Sequence, residues 1–397
     1  MILLSIYWPA FISMILLPIT LFISHDQPSK VYNDLLIGND ASLQPPTGAF
    51  TLYLPLISKN EDCFQWHGQI PLQTAVDQNL CVQIQTGVWT TTVQIVLQSG
   101  HILLGEDKNA SILRAASPWT GNGTSNGAEA VVHDNGSENS TIANFTIDAN
   151  NLSTFGVGAH GTGTTVDSVK IINAKCDGVA ITAAGWKVLN STIENNGYSC
   201  HTGLPGSGVY ITKPLNNFTP AFYAPIIIGN IIRNNGGPAL DVDRVWGGTF
   251  KNNTVSDNQG WAAISLYSAS YWIVENNAIQ HPFSASPTHP NHPYCMGGPS
   301  GNYAAALAIC QDTELSDQLA TYNSVLNNQI SGWYGIRLIG NDETNPNWVP
   351  RFNTIQGNDV WGSTIGCIDD FSPNQSGSNI WTTNNCAGTP DTPPIYF

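Results

Sequence analysis

Residues 230–258 read NIIRNNGGPALDVDRVWGGTFKNNTVSDN and contain one six-residue pattern twice, Asn-x-Ile/Val-x-Asn/Asp/Gly-Asn. The two copies begin 23 residues apart, at Asn230 and Asn253. Further copies begin at Asn323 and Asn353, and degenerate copies at Ser191 and Asn277. A repeat of this length cannot bury its own apolar side, so successive copies must stack on one another.

A second pattern lies between the Asn copies: a small residue, an aliphatic residue, any residue, and another aliphatic residue. It occurs at 178–181, 208–211, 239–242, 263–266, 306–309 and 335–338. Such alternation is typical of short strands with one inward face, and we find no helical period long enough for a crossover helix. Short strands stacked at a fixed period predict a parallel β-helix. Its aliphatic side chains form inward columns, and Asn side chains at one turn form a hydrogen-bonded ladder spaced about 4.8 Å apart.

These repeats resemble those of the right-handed parallel β-helix superfamily, the pectate-lyase-like fold. Residues 70–75 (IPLQTA) resemble its amphipathic N-terminal cap, and residues 81–105 resemble a first coil. The resemblance implies an all-β right-handed solenoid of about 9–11 coils, capped near residues 61–80. It does not specify an activity, because this scaffold carries lyases, hydrolases, epimerases, esterases and non-catalytic surface proteins.

The composition excludes several classes of function. Charged residues make up 10% of the 397 residues, and 13 basic against 28 acidic residues give a formal net charge of −15. Nucleic-acid binding depends on clustered Lys and Arg, so a nucleic-acid partner is not expected. The sequence also lacks GxxxxGK[ST], GxGxxG, HExxH and CxxC, which disfavours nucleotide, zinc and thioredoxin-like redox proteins.

The N-terminal residues indicate export. Residues 1–24 are almost wholly apolar and predict a signal peptide or an uncleaved signal anchor, the only expected membrane contact. Residues 25–60 are interpreted as a linker with an apolar lead-in, 61–388 as the β-helix domain, and 389–397 as a Pro-rich tail. The expected location is extracellular or at the cell surface.

Eight cysteines agree with export, because an even number in an exported chain favours disulfides over free thiols. Cys176 and Cys200 lie about one coil apart, so they can face each other across adjacent coils. Sequence alone does not fix the connectivity, but pairing of nearest neighbours is favoured, because the other pairs would pin the cap, close an insertion and close the last coil. The predicted bridges are Cys63–Cys81, Cys176–Cys200, Cys295–Cys310 and Cys367–Cys386.

The candidate catalytic residues are Asp241, Asp243 and Arg244. The two aspartates are two apart on a predicted strand, so both side chains point outward with Cα atoms about 6.5–7 Å apart. Carboxyl groups near this separation suit acid/base catalysis at a glycosidic bond. Their proximity also raises one pKa, which prepares an acid. The alternative is that they are ordinary solvated strand residues, with Asp243 paired to Arg244.

Other residues of the same outward face are candidate substrate-binding groups. Tyr210 and Tyr267 would flank the aspartates one coil to either side and stack on sugar rings. The remaining candidates are Lys213, Arg337 and His160. For His160 the alternative is an ordinary turn residue.

Three functions remain open. A glycoside hydrolase acting on a polysaccharide through the Asp pair is the main hypothesis, and it requires no cofactor. A polysaccharide lyase or epimerase of uronates would use Lys213, Arg244 or Arg337 to abstract a proton, with calcium as a possible ligand. The acidic net charge argues against such an anionic substrate. A non-catalytic surface β-helix that binds glycans or serves a structural role is the third.

Overall fold

The structure is a computed structural model that describes residues 63–121, 129–200, 206–213, 221–281, 304–311, 320–340, 350–363, 366–370 and 379–386. The predicted signal segment, the linker at 25–60 and the tail at 389–397 lie outside these residues. Within the described ranges, the chain forms a short helix, Leu72–Gln78, three large parallel sheets and a small two-stranded sheet. No helix in this described part is long and apolar enough to cross a membrane.

Each large sheet takes one short strand from successive coils. Sheet 1 contains Phe64–Trp66, Cys81–Ile84, Ile102–Gly105, Thr141–Ala143, Thr165–Asp167, Lys187–Leu189, Ile226–Ile228, Gly248–Lys251, Trp272–Glu275, Ser324–Leu326, Thr354–Gln356 and Ile380–Thr382. Sheet 2 contains Ile95–Val96, Ala130–His133, Phe155–Ala159, Val179–Ile181, Val209–Thr212, Leu240–Asp243, Ala262–Tyr267, Ala305–Cys310, Tyr334–Ile339 and Gly366–Asp370. Sheet 3 contains Gly87–Val93, Ser111–Thr120, Thr146–Asp148, Lys170–Ile172, Thr192–Glu194, Ile231–Arg233, Thr254–Ser256, Ala278–His281, Gln329–Gly332 and Asp359–Val360. The small sheet pairs Ala221–Phe222 with Val245–Trp246.

The strand pairing confirms the predicted fold. Thr165 pairs with Lys187, and Lys187 pairs with Ile226, so the chain returns to the same sheet once per coil. The pairs are parallel throughout, and the coil is right-handed, as parallel crossover connections almost always are. Sheets 2 and 3 each contain 10 strands, within the predicted range of about 9–11 coils, whereas sheet 1 contains 12.

The core lies inside the coil. The aliphatic side chains of the second sequence pattern are fully buried there, including Val179, Val209, Leu240 and Ile264. One face of the helix Leu72–Gln78 joins the same cluster through Leu72, Ala75 and Val76. This helix covers apolar side chains of the first coils, which is the role that the resemblance gives to the N-terminal cap.

Asn side chains form the predicted ladders, but at three turns and not at one. The longest ladder lies between sheets 1 and 3 and runs through Asn230, Asn253, Asn277, Asn328, Asn358 and Asn384. A second, between sheets 3 and 2, joins Asn196, Asn235 and Asn258. A third, before sheet 1, joins Asn323, Asn353 and Asn379. In each step an amide Nδ2 donates to the Oδ1 of the next coil, at 2.8–3.1 Å in the second ladder.

The repeat pattern changes sheet along the chain, which corrects the single phase expected from the sequence. The copies at Asn230 and Asn253 bracket strands of sheet 3, whereas those at Asn323 and Asn353 bracket strands of sheet 1. The pattern fits both places because each is a three-residue strand with one inward aliphatic side chain and a turn at either end. Asn328, the last residue of its copy, therefore continues the ladder that Asn230 begins.

Three of the four predicted disulfides are present: Cys63–Cys81, Cys176–Cys200 and Cys367–Cys386. The predicted Cys295–Cys310 bridge is wrong, because Cys310 is a free and fully buried thiol. Cys295 itself lies outside the described residues. Cys310 occupies an outward position of sheet 2, between Tyr267 and Ile339, and packs with both in a small apolar cluster.

Candidate functional site

The strand Leu240–Asp243 places two carboxyl groups on the outer face of sheet 2. Leu240 and Val242 are fully buried inside the coil, while Asp241 and Asp243 alternate with them and are partly exposed. Tyr210 and Ser265 are the register partners of Asp241 on the neighbouring coils. Thr212 and Tyr267 are the register partners of Asp243 on the same two coils. These two sets of partners form the outward columns that the sequence predicts.

Positive and polar groups hold the carboxylate of Asp243. The Arg244 Nε lies 3.3 Å from Asp243 Oδ1, and the Thr212 hydroxyl donates to Asp243 Oδ2 at 3.2 Å. Arg244 adopts a left-handed backbone conformation with φ 58°, and its guanidinium lies 5.6 Å from the Tyr267 ring centroid. These contacts favour the negatively charged form of Asp243.

Asp241 is in the opposite electrostatic situation. Removal of its carboxyl group from water is the main reason that the pKa of Asp241 is raised to about 7; a hydrogen bond with Ser265 opposes this rise, and the negative charge of Asp243 adds to it. Neighbouring carboxyl groups of one strand are thus biased towards different protonation states near neutral pH. Such divergence is what acid/base catalysis by two carboxyl groups requires.

A third acid, Asp177, belongs to the same cluster and was not predicted. It is 7% exposed, and its Oδ1 accepts a hydrogen bond of 2.5 Å from the Ser207 amide of the next coil. Burial is the main reason that the pKa of Asp177 is raised to about 7; the hydrogen bond from the Ser207 amide opposes this rise, and the nearby charge of Asp241 adds to it. Asp177 therefore lies within electrostatic reach of the predicted pair.

Broken strand alternation explains why the sequence did not reveal Asp177. In sheet 2 the small residue and the aliphatic residue after it both point inward, as Ala263 with Ile264 and Ala306 with Leu307 show. The residue before the small one then points outward, and Ala262 lies in the outer cluster accordingly. Strict alternation would have placed Asp177 inside the coil. The signal available was an acid directly before the small residue of the repeat.

Tyr210 and Lys213 lie beside the acids. Burial raises the pKa of Tyr210, and the charges of Asp243 and Asp241 add to this, so its hydroxyl stays neutral. Lys213 is 5% exposed. Burial lowers the pKa of Lys213, repulsion by Arg244 lowers it further, and Asp243 acts in the opposite direction. The structure thus groups these two predicted residues with the aspartates.

The other candidate residues are not brought to the aspartates. Tyr267 adjoins Asp243 in register but is 1% exposed. Its ring is therefore not open to a sugar, contrary to the prediction. Arg337 is 5% exposed, lies three strands from Leu240–Asp243 and stacks its guanidinium 4.4 Å from the Tyr334 ring centroid. His160 lies three strands away in the other direction, about 14 Å by strand spacing, and its ring contacts the Thr182 hydroxyl. Among the described residues, no group of three or more His, Cys, Asp or Glu has the arrangement of a metal site.

Comparison with known proteins gives similar folds only. No protein-family model matches the sequence, and no curated protein matches it. Among solved structures, the A-module of an Azotobacter vinelandii mannuronan C-5 epimerase has 13% identity and a TM-score of 0.47, covering 81% of this chain and 96% of that one. The catalytic domain of an alpha-1,3-glucanase has 13% identity and a TM-score of 0.46, covering 82% and 69%. The Dettilon tailspike protein has 14% identity and a TM-score of 0.45, covering 75% and 64%. Likeness at this level does not specify an activity.

Proposed function

We propose that this protein is a glycoside hydrolase that cleaves a polysaccharide with Asp241 and Asp243 as its catalytic pair. The observation that supports this is the contrast between the two carboxyl groups. Asp243 is held as an anion by Arg244 and Thr212, whereas the pKa of Asp241 is raised to about 7 by burial and by Asp243. Two carboxyl groups in different charge states on one partly exposed face suit hydrolysis of a glycosidic bond.

In the proposed reaction, protonated Asp241 is the general acid. Its proton passes to the glycosidic oxygen as the bond from that oxygen to the anomeric carbon breaks. The carboxylate of Asp243 stabilises the positive charge that develops on the sugar ring. A water molecule supplies the oxygen that ends on the anomeric carbon, and its proton returns the pair to the starting state. Tyr210, directly beside Asp241 in register, contacts the substrate as a neutral hydroxyl donor.

The experiment compares Asp241→Asn, Asp243→Asn and the parent protein on a polysaccharide panel, measuring new reducing ends. Either substitution is expected to lower turnover by about 10²- to 10⁴-fold, the usual share of general acid–base catalysis. The fold should persist, because both side chains point away from the coil interior. Asp257→Asn is the matched control, since Asp257 is exposed on another turn, and it should leave turnover unchanged. Full turnover with both aspartates replaced, or no product from the parent on any substrate, contradicts the proposal.

A uronate lyase is the second candidate, and Lys213 is the observation that favours it. The pKa of Lys213 is lowered by burial and then by Arg244. A lowered pKa makes it easier to form the neutral amine, which is the form that can abstract a proton. A lyase forms unsaturated uronate ends without adding water. Ultraviolet absorbance of the products, recorded in the same assay, distinguishes the two reactions.

We also propose that the protein acts outside the reducing cytosol. Three disulfides within the described residues support this, because such bonds persist mainly in oxidising compartments.

A further inference from the structure

One turn of the coil carries large aromatic residues in an unusual backbone conformation. The turn precedes the strands of sheet 1 from Ile102–Gly105 to Thr354–Gln356, and strand register aligns one residue per coil there in a single column. The column consists of Gly100, Asn139, Gly163, Gly185, Ala224, Gly247, Tyr271, Tyr322 and Phe352, all with φ between 45° and 76°. Left-handed conformation suits Gly and Asn and disfavours bulky side chains, because Cβ crowds the following carbonyl. The last three residues of this column, Tyr271, Tyr322 and Phe352, are nevertheless aromatic.

A second column with the same conformation provides an internal comparison. It precedes the strands of sheet 3 from Thr146–Asp148 to Asp359–Val360, continues once more before the bridge residue Asn385, and consists of Asn144, Ser168, Asn190, Gly229, Asn252, Asn276, Asn327, Gly357 and Thr383. All of these are small or polar residues, and all except the β-branched Thr383 are of the kind that tolerate this conformation. The turn geometry itself therefore does not call for aromatic side chains. Tyr271, Tyr322 and Phe352 are placed against the local backbone preference, and such strain is typical of functional sites.

The aromatic rings form a continuous row. The rings of Tyr271 and Tyr322 are nearly parallel with centroids 5.3 Å apart, and those of Tyr322 and Phe352 with centroids 5.2 Å apart. Parallel carbon atoms make contact at about 3.5–4 Å, so these rings are offset sideways and part of each face stays uncovered. Tyr322 is 50% exposed and Phe352 is 40% exposed. Trp246 extends the row, with its ring centroid 6.0 Å from that of Tyr271.

The row begins beside the candidate active site. Trp246 follows Asp243 by three residues in the same coil, and the other three rings lie on the next three coils. Four coils extend about 14 Å along the axis. The row therefore leads from the edge of the site in one direction along the coil, as a bound chain would.

We propose that Trp246, Tyr271, Tyr322 and Phe352 bind a neutral polysaccharide chain that runs along the coil axis and reaches the catalytic face at Asp243. The class of ligand rests on the proposed function. Pyranose rings present apolar faces that pack on aromatic side chains. The formal net charge of −15 disfavours a polyanionic chain on the same surface.

The test measures binding apart from catalysis. The full-length chain with Asp241→Asn is run in native gels containing mixed-linkage β-glucan, xylan or galactomannan, with polygalacturonate as the charged comparison. Adding Tyr322→Gly and Phe352→Gly together is expected to weaken binding to a neutral polysaccharide by at least about tenfold. Glycine suits the turn, so the variant keeps its backbone. Ala224→Gly, in the same column but without a ring, is the matched control and should bind as the parent does.

The outcomes separate this proposal from the hydrolase. Binding of a neutral polysaccharide that depends on the aromatic rings supports the proposed binding row. If the parent binds in this way but cleaves nothing, only the proposed function fails. A row variant that binds as tightly as the parent, or a parent that binds none of the neutral polysaccharides, overturns the row whatever the activity. A lower Tm with unchanged binding shows that the rings only stabilise the turn, and this result also overturns it. Tighter binding of polygalacturonate than of every neutral probe overturns the choice of ligand.

Discussion

At the scale of single residues, the neighbours of an acid decide its chemistry. Asp241 and Asp243 share a strand and an outward orientation, yet Arg244 and Thr212 contact only the carboxylate of Asp243 in the hydrogen bonds and ion pairs described above. Asp241 lies between Tyr210 and Ser265 in register and loses water without gaining a cation. Replacing Arg244 by an uncharged residue would therefore be expected to remove the positive charge beside the carboxylate of Asp243.

The raised pKa of Asp241 predicts a pH-dependent stability. Its pKa rises from 3.8 to about 7 on folding because of burial and the charge of Asp243, so the native state retains a proton that the unfolded chain releases. The native state is then favoured at low pH, and this contribution is lost as the pH rises from about 4 to about 7. Asp241→Asn removes the ionisation, so the variant should be more stable than the parent at pH 8 by about 1–3 kcal/mol.

Thermal unfolding measured at pH 4 and pH 8 checks this prediction. The Tm gap between Asp241→Asn and the parent should appear at pH 8 and nearly vanish at pH 4. Asp257→Asn, at an exposed turn, should follow the parent at both pH values. An equal gap at both pH values would show that ionisation of Asp241 plays no part.

The sequence could place Asp241 and Asp243 but not describe their surroundings. Period-two alternation was enough to orient both side chains, since Leu240 and Val242 are inward aliphatic residues. It failed for Asp177 because two consecutive residues, such as Ala263 and Ile264, point inward at the beginning of strands in sheet 2. It also failed for Tyr267 and Arg337, because outward orientation says nothing about whether other parts of the chain cover a side chain.

At the scale of strands and turns, buried amide ladders connect the coils. Asn277 Oδ1 accepts hydrogen bonds from the backbone N–H and the Nδ2 of Asn253, and Asn277 Nδ2 donates to Asn328 Oδ1 and to the Phe250 carbonyl. One side chain thereby satisfies buried groups on three coils. Such positions are sensitive because each lost partner leaves a buried polar group unsatisfied.

Replacement of Asn277 tests the ladder. Asn277→Ala removes the partners of several buried groups at once and should lower the free energy of unfolding by about 3 kcal/mol or more. Asn385→Ala is the matched control, because Asn385 is exposed and its side chain makes one hydrogen bond, to Asp359. The control should change stability by at most about 0.5 kcal/mol in chemical denaturation. Similar losses for both variants would contradict a stabilising ladder.

The sequence foresaw the ladder and misjudged its position for a physical reason. A three-residue strand with one inward aliphatic residue has the same appearance in sheet 1 and in sheet 3, so spacing alone cannot identify the sheet. The 46-residue interval between Asn277 and Asn323 hid the change, because it is twice the usual period. Only the strand pairing shows that Asn328, and not Asn323, continues the ladder from Asn277.

At the scale of the whole coil, each rung contacts mainly its two neighbours, so damage should stay local. The disulfides fit this organisation. Cys63–Cys81 joins the beginning of the first two strands of sheet 1, and Cys367–Cys386 closes a loop at the other end of the described residues. Both ends of the coil, where fraying is easiest, are thus crosslinked.

Removal of the first crosslink tests this locality. Replacing Cys63 and Cys81 together by Ser opens a link with a sequence separation of 18 and should cost up to about 3 kcal/mol. Amide hydrogen exchange should accelerate in Phe64–Trp66 and Cys81–Ile84, while Gly248–Lys251 keeps its protection. The matching change at Cys176 and Cys200 should move the effect to the strands around 170–200. Uniform acceleration along the coil in either variant would show instead that the solenoid unfolds as one unit.

The use of one Asn pattern on two different sheets bears on how such a chain lengthens over evolutionary time. A duplicated segment need not restore a whole coil to be accepted, because both of its ends already present the amide that the neighbouring turn requires. The unit of inheritance is then one strand with its flanking turns, and insertions of partial coils preserve the ladder. Homologous chains of this kind should therefore differ in length by strand-sized steps as well as by complete coils.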